Sequence, residues 1–139
     1  MRAVLDTVVF VRALINPKGR WGRLLFDLSG GYIIVLSPAI LREVLEVIYR
    51  SSLLEKFTAG GRTPPFEEVL GLLQNADVVE PNERLAVCRD PEDDKFFECA
   101  VSGAADYVVS EDRDILDVRE FQGVRTVTAE EFIQVLSAA

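Results

Sequence analysis

An α/β fold built on a parallel sheet is what this sequence predicts, and three observations carry that reading. Short apolar runs rich in strand formers alternate with segments whose apolar residues recur at helical spacing, the pattern of βαβ units. The run Tyr32–Leu36 is apolar throughout rather than alternating, as suits a strand covered on both faces. The 139 residues are 49% hydrophobic and 27% charged, enough for one domain (1–139) around one core. No internal repeat or low-complexity segment interrupts the pattern, and the crossovers are expected to be right-handed.

The chain opens with a short strand, Ala3–Leu5, and the apolar stretch Thr7–Leu14 is expected to wind into a helix. Asn16-Pro17-Lys18-Gly19 is a turn sequence. Leu24, Leu25 and Leu28 recur at helical spacing over Gly22–Ser29, and Gly30-Gly31 stops that segment. Tyr32–Leu36 is the second strand. Ser37-Pro38 then opens a helix, because Ser is a good N-cap and Pro is tolerated at the first helical position. Leu41, Val44, Leu45 and Ile48 form its expected buried stripe. Gly60-Gly61 and Pro64-Pro65 punctuate the middle, and Phe66–Leu73 is a further helix. Val78-Val79 is a weak strand, and Asp93–Val101 is a helix with Phe96, Phe97 and Ala100 facing inward. Tyr107–Ser110 and Arg125–Val127 are short strands. Thr128-Ala129-Glu130-Glu131 has the form of a capping box and starts a last helix, expected to reach Leu136.

Composition narrows the chemistry. The chain has no His, which excludes Ser-His-Asp and Cys-His nucleophiles, imidazole acid–base catalysis and His-ligated zinc. Cys88 and Cys99 match no zinc spacing and are expected to be reduced and buried. The formal charge of −8 argues against a passive nucleic-acid binder, which gains its affinity from a basic surface. An acidic nuclease remains reasonable where carboxylates converge on divalent cations, because the ions reverse the local field. No apolar run approaches the roughly 18–20 residues that span a bilayer. Asp6 interrupts the short apolar run Ala3–Leu5 before an adequate export-signal core forms, so the protein is expected to be cytoplasmic.

In an open parallel sheet, ligands bind beyond the carboxyl ends of the strands where the strand order reverses. Asp6 directly follows the first strand, and Asp112 lies just beyond Tyr107–Ser110. Glu43 sits in the second turn of the helix leaving the second strand, with Glu46 a turn later as a competitor. Asp93 begins the helix that precedes the fourth strand, with Asp94 beside it. Each acid alone also suits a structural role: Asp6 as a turn residue or N-cap, Glu43 on a solvated helix face, Asp93 and Asp94 at a helix start, Asp112 and Asp114 as strand terminators. Clustered carboxylates repel and raise each other's pKa, and hard cations relieve that repulsion.

The segments Val4-Leu5-Asp6-Thr7, Ser37-Pro38-Ala39-Ile40-Leu41-Arg42-Glu43-Val44, Asp90-Pro91-Glu92-Asp93-Asp94-Lys95-Phe96-Phe97 and Ala105-Asp106-Tyr107-Val108-Val109-Ser110-Glu111-Asp112 resemble, in that order, the PIN-domain family. The nearest branch is the VapC-like toxins of bacterial and archaeal toxin–antitoxin pairs. The resemblance runs from Ala3 to Phe132 and is most specific from Asp90 to Leu116. It implies a three-layer α/β/α fold with a central parallel sheet of about four to five strands, endoribonuclease activity and a divalent metal, Mg2+ or Mn2+. By it, Asp6, Glu43, Asp93 and Asp112 match the family's four acidic positions. Ser110 matches its usual Ser or Thr, and Asp114 its occasional extra acid. Asp93 rather than Asp94 takes the third position, from its offset to Ala100. One departure stands out: Val8 occupies the place where the family commonly has Asn, and only the neighbouring Thr7 offers a hydroxyl there.

The mechanism expected from these residues is metal-assisted hydrolysis of RNA phosphodiester bonds, with Asp6, Glu43, Asp93 and Asp112 as ligands. Thr7, Ser110 and Asp114 would orient ligands or water. Arg12, Lys95 and Arg113 stand near the acids in sequence and are placed to steer the RNA backbone, though solvated surface charge explains each as well. Two other classes of function compete: a PIN-like interaction protein without activity, favoured by Val8 and the net acidity, and another metal-dependent phosphoesterase on a similar sheet. The resemblance also implies an antitoxin partner that covers the acidic cleft, and a homodimer. Trp21, Phe57 and Phe66 are apolar candidates for such a surface, with core packing as their alternative fate.

Overall fold

The sheet is organised by strands that are apolar on both faces. In a computed structural model that describes residues 1–50, 55, 57, 59–61 and 66–138, the strands are β1 (Arg2–Leu5), β2 (Ile33–Leu36), β3 (Asp77–Val78), β4 (Tyr107–Val109), β5 (Glu120–Phe121) and β6 (Val124–Val127). The side chains of Phe66 and Val69, and the expected break at Pro64-Pro65, lie outside the described residues. The strand order is β3-β2-β1-β4-β6-β5. All pairings are parallel except the β5–β6 hairpin at one edge. Ala3, Val4 and Leu5 in β1 are fully buried in succession, as are Val108 and Val109 in β4, so both faces are covered.

Helices flank this mostly parallel sheet: α1 (Thr7–Ile15), α2 (Arg20–Gly22), α3 (Pro38–Ile48), α4 (Phe66–Asn75), α5 (Asp94–Ser102), α6 (Arg113–Leu116) and α7 (Ala129–Ala138). From β1 the chain steps to β2 and β3 on one side, then crosses to β4 and β6 on the other. With right-handed crossovers, opposite directions of travel put the connecting helices on opposite faces. The reversal of order falls between β1 and β4 and opens a crevice at their carboxyl ends.

Several elements differ from expectation. The segment after α2 is a π-helical turn, Arg23–Asp27, followed by a 3-10 turn, Ser29–Gly31, rather than one regular helix. Gly22 is the pivot: a Cβ there would meet the Pro17 carbonyl oxygen at 2.0 Å, so only glycine lets the turn pack on the preceding loop. Adjacent Leu24 and Leu25 are both fully buried by that turn. In α3 the buried stripe is Ile40, Val44 and Ile48, with Leu41 and Leu45 half-buried at its margin. β3 begins one residue early, although the Val79 amide still donates to the Leu36 carbonyl at 2.7 Å. α6 and β5 had no sequence expectation. The β5–β6 loop is Gln122-Gly123, both at positive φ (49° and 84°), the backbone of a two-residue hairpin turn whose usual Asn-Gly signal is missing.

The core is closed by aromatic contacts. Phe132 of α7 is fully buried, with the Tyr32 ring at 5.1 Å and the Tyr107 ring at 5.4 Å. The capping box forms as read: the Thr128 hydroxyl accepts from the Glu131 amide and the Glu131 carboxylate accepts from the Thr128 amide. Phe57 is buried, which removes it as a surface contact, while Trp21 is half-buried. Among the described residues no helix is long and apolar enough to cross a membrane.

Candidate metal centre

Parallel strands end at one edge of a sheet, so whatever follows β1, β2, β4 and β6 shares that edge. Asp6 follows β1, Ser37 follows β2, Ser110 follows β4 and Thr128 follows β6. The Asp6 amide donates to the Val109 carbonyl at 3.0 Å and carries the ladder one residue past β1. That ladder fixes the Asp6 Cα beside the end of β4, at the strand-order reversal.

Asp6 is buried, and both of its oxygens are engaged. Oδ1 accepts from the Val9 amide at 2.9 Å, which makes Asp6 the N-cap of α1. Oδ2 accepts from the Ser110 hydroxyl. Ser110 Oγ in turn accepts from the Asp112 amide at 2.9 Å, so one fully buried hydroxyl ties Asp6 to the loop that carries Asp112. The Asp6 carboxyl is held above its ordinary pKa by burial; the Ser110 and Val9 hydrogen bonds pull it down, and the charge of Asp112 adds to the rise.

Asp93, Asp112 and Asp114 each bring a carboxylate oxygen to within 4.8 Å of the others. Asp112 caps the short helix α6, its Oδ1 accepting from the Asp114 amide at 2.9 Å. Asp93 Oδ2 is buried and has no hydrogen-bond partner among the described residues. Burial, followed by the charges of Asp112 and Asp90, pushes the Asp93 carboxyl up to about 6, with Lys95 opposing. A carboxylate with one buried, partnerless oxygen, standing beside two further carboxylates, belongs to a donor set that a hard divalent cation satisfies, because such ions take carboxylate oxygen and neutralise the repulsion. The residues present fit the group the fold implies.

Asp94 has a different task. Its Oδ1 accepts from the Val87 amide at 3.0 Å and the Cys88 amide at 2.8 Å, pinning the preceding loop to the start of α5. Glu43 does not join the three-carboxylate group as it stands. Its Oε1 accepts from the Thr7 hydroxyl, and its Oε2 is paired with the Lys95 ammonium, which is only 16% exposed. The Thr7 hydroxyl is thus directed to Glu43 rather than to Asp6, and Val8 is 47% exposed in the first turn of α1. Glu46 lies exposed a turn beyond Glu43.

Two features had no sequence expectation. Arg89 bridges Asp114 at 3.2 Å and Asp117 at 2.5 Å, bracing α6 from outside the cluster. Lys95 and Glu43, 52 residues apart, meet because α5 starts beside the first turns of α3. No local signal marks either pair; only the three-dimensional order of β1, β2 and β4 does. The neighbouring thiol of Cys88 is pushed up to about 12 by burial and by the charges of Asp94 and Asp93.

A mostly parallel α/β sheet with carboxylates converging at its switch point defines an α/β protein with an acidic, metal-ready centre. The PIN domain family model matches residues 2–114, and the chain belongs to that family, whose members are generally nucleases that use divalent metals. Over 123 residues the chain is 34% identical to an uncharacterised protein of Methanocaldococcus jannaschii, covering 86% of this chain and 76% of that one. Its fold is similar to a chain in the crystal structure of VapBC2 from Rickettsia felis bound to a DNA fragment from their promoter. That likeness has a TM-score of 0.59 and 14% identity, and covers 92% of this chain and 98% of the other.

Proposed function

We propose that the protein is a divalent-metal-dependent endoribonuclease, acting as the toxin of a toxin–antitoxin pair. The observation that carries the catalytic part is the convergence of Asp93, Asp112 and Asp114 beside buried Asp6, with one Asp93 oxygen left partnerless. Asp6, Glu43, Asp93 and Asp112 are the catalytic acids, with Asp114 at the rim. Mg2+ or Mn2+ held there supplies Lewis-acid stabilisation of the phosphate and makes water a competent nucleophile near neutral pH. Asp112 contributes the most exposed of these carboxylates, Asp93 turns one buried oxygen to the site, and Asp6 anchors its inner end. Ser110 fixes the rotamer of Asp6 and the path of the Asp112 loop at once. Thr7 and Lys95 hold the Glu43 carboxylate in place, and Lys95 brings one positive charge to a site that must accept an anionic substrate.

The toxin role rests on the motif resemblance to VapC-like proteins and on the fold shared with the VapBC2 chain. On this reading an antitoxin covers the acidic cleft, the enzyme pairs as a homodimer, and both work in the cytoplasm. A test presents RNA, single-stranded DNA and a phosphomonoester to the purified protein with Mn2+, Mg2+ or chelator, alongside Asp6→Asn and Asp112→Asn. Metal-dependent internal cleavage of RNA that both substitutions abolish is expected. Hydrolysis confined to the monoester would make it another phosphoesterase, and folded protein inert on all three substrates would make it a binding protein.

A further inference from the structure

The cations of this acidic protein are unevenly placed. Between Asp6 and Asp27 the sequence carries Arg12, Lys18, Arg20 and Arg23 and no acid, in a chain whose net charge is −8. All four are exposed. Among the described residues none of the four forms an ion pair or donates a side-chain hydrogen bond, a state they share with Arg42, Arg84, Arg113, Arg119 and Arg125; what sets the four apart is that no acid lies among them. Unpaired, clustered positive charge on a protein of the opposite sign marks a surface that meets an anion.

The cluster is built around Trp21, the only Trp of the chain. The Arg12 guanidinium lies over its ring at 4.9 Å from the centroid and the Arg20 guanidinium at 5.4 Å. The indole Nε1 is buried without a partner among the described residues. Gly22, locked against Pro17, holds α2 close to the preceding turn and so keeps Trp21 next to α1. The strip also points at the acids: α1 begins at Thr7, directly after Asp6, and Arg12 stands five residues on, roughly 8 Å along the helix axis. Val8 and Arg12 are both exposed and four residues apart, so they share the outward face that joins the cleft to Trp21.

We infer that Arg12, Lys18, Arg20, Trp21 and Arg23 form the track on which single-stranded RNA lies as it leaves the acidic cleft. Ammonium and guanidinium groups take successive phosphates, and the guanidinium planes stacked on the indole offer a platform for one base, the combination of charge and stacking by which proteins hold single strands without sequence preference. The naming of RNA rests on the nuclease reading. The track answers an electrostatic need of that reading, since the carboxylates at the centre repel a polyanion and an attractive surface has to begin at their edge. An acidic protein segment would use the charges but leave the indole idle.

The test is binding of a 12-nucleotide single-stranded RNA in chelator at several salt concentrations, followed by RNA anisotropy and by Trp21 fluorescence. Binding with quenching of Trp21 is expected. Arg12→Gln with Arg20→Gln, which keeps both aliphatic stems, should weaken it about 10- to 100-fold at low salt and shallow the log–log salt slope by about 1.4. Lys18→Gln with Arg23→Gln, which disturbs no packed side chain, should do the same, and Arg84→Gln with Arg125→Gln should leave binding unchanged. Equal binding by all three pairs, no binding by the wild type, or binding of poly-glutamate but not RNA through the strip would each overturn the track. Strip-dependent RNA binding by a protein that never cuts RNA would sustain the track and sink the nuclease. Cutting with strip-independent binding would do the reverse.

Discussion

Replacing Asp93 by Asn should stabilise the metal-free protein and at the same time disable it. At pH 7 the Asp93 carboxylate is ionised although burial and its acidic neighbours have raised its pKa from 3.8 to about 6. Two units correspond to about 3 kcal/mol of unfavourable ionisation, and solvent screening at this half-buried site cuts that to about 1–2 kcal/mol. Asn keeps the shape and removes the charge. For a chain of this length, 1–2 kcal/mol raises the melting temperature by about 3–7 °C. The gain depends on pH with a definite sign. An acid whose pKa is raised by folding favours the folded state when protonated, so wild-type stability falls as pH rises from about 4 through about 6. Wild type and variant should therefore converge near pH 4. Divalent metal inverts the order: at 100 times its Kd, a ligand of the folded state adds about 2.7 kcal/mol to the wild type and much less to the variant. Thermal melts in chelator and in Mn2+, at pH 4 and pH 7, read all of this. A variant that melts below the wild type in chelator at pH 7, or gains as much from Mn2+, would mean that Asp93 is neither strained by its charge nor a metal ligand.

Other expectations follow from the same contacts. Ser110→Ala removes the hydroxyl donor to Asp6 and the acceptor for the Asp112 amide, and should lower metal affinity about 10- to 100-fold by Mn2+ calorimetry. Asp94→Ala strips two half-buried amides of their acceptor and should cost about 1–2 kcal/mol in urea unfolding, the opposite sign to Asp93→Asn. Cys88 and Cys99, both pushed up to about 12 mainly by burial, should react with a thiol reagent at pH 8 far more slowly in the native protein than after denaturation. Thr128→Ala breaks the capping box and should lower stability by about 1 kcal/mol without touching metal binding.

The parts of the fold legible in the sequence were those whose signal is local. Tyr32–Leu36 announces a doubly covered strand by being apolar throughout, and Ser37-Pro38 and Thr128–Glu131 announce helix starts through residues that satisfy orphan amides. The parts that were not legible depend on partners distant in the chain or on uncommon backbone. The Gln122-Gly123 hairpin uses a turn whose usual first residue is Asn, Asp or Gly, and the π-helical turn after Gly22 has no periodicity of its own. The site divides in the same way. The positions of Asp6 and Asp112 at strand ends follow from local patterning plus the switch-point rule. The division of labour between Asp93 and Asp94 needs the loop amides of Val87 and Cys88, and the pairing of Glu43 with Lys95 and Thr7 needs α3, α1 and α5 assembled.

Metal-dependent cleavage at the three-aspartate site is tested by a Mn2+ titration of the purified protein read simultaneously as bound metal and as RNA cleavage rate. The two curves should coincide, and Asp112→Asn should abolish both. Cleavage that persists in chelator, or saturates at metal concentrations where the Asp93–Asp112–Asp114 site is empty, would contradict this.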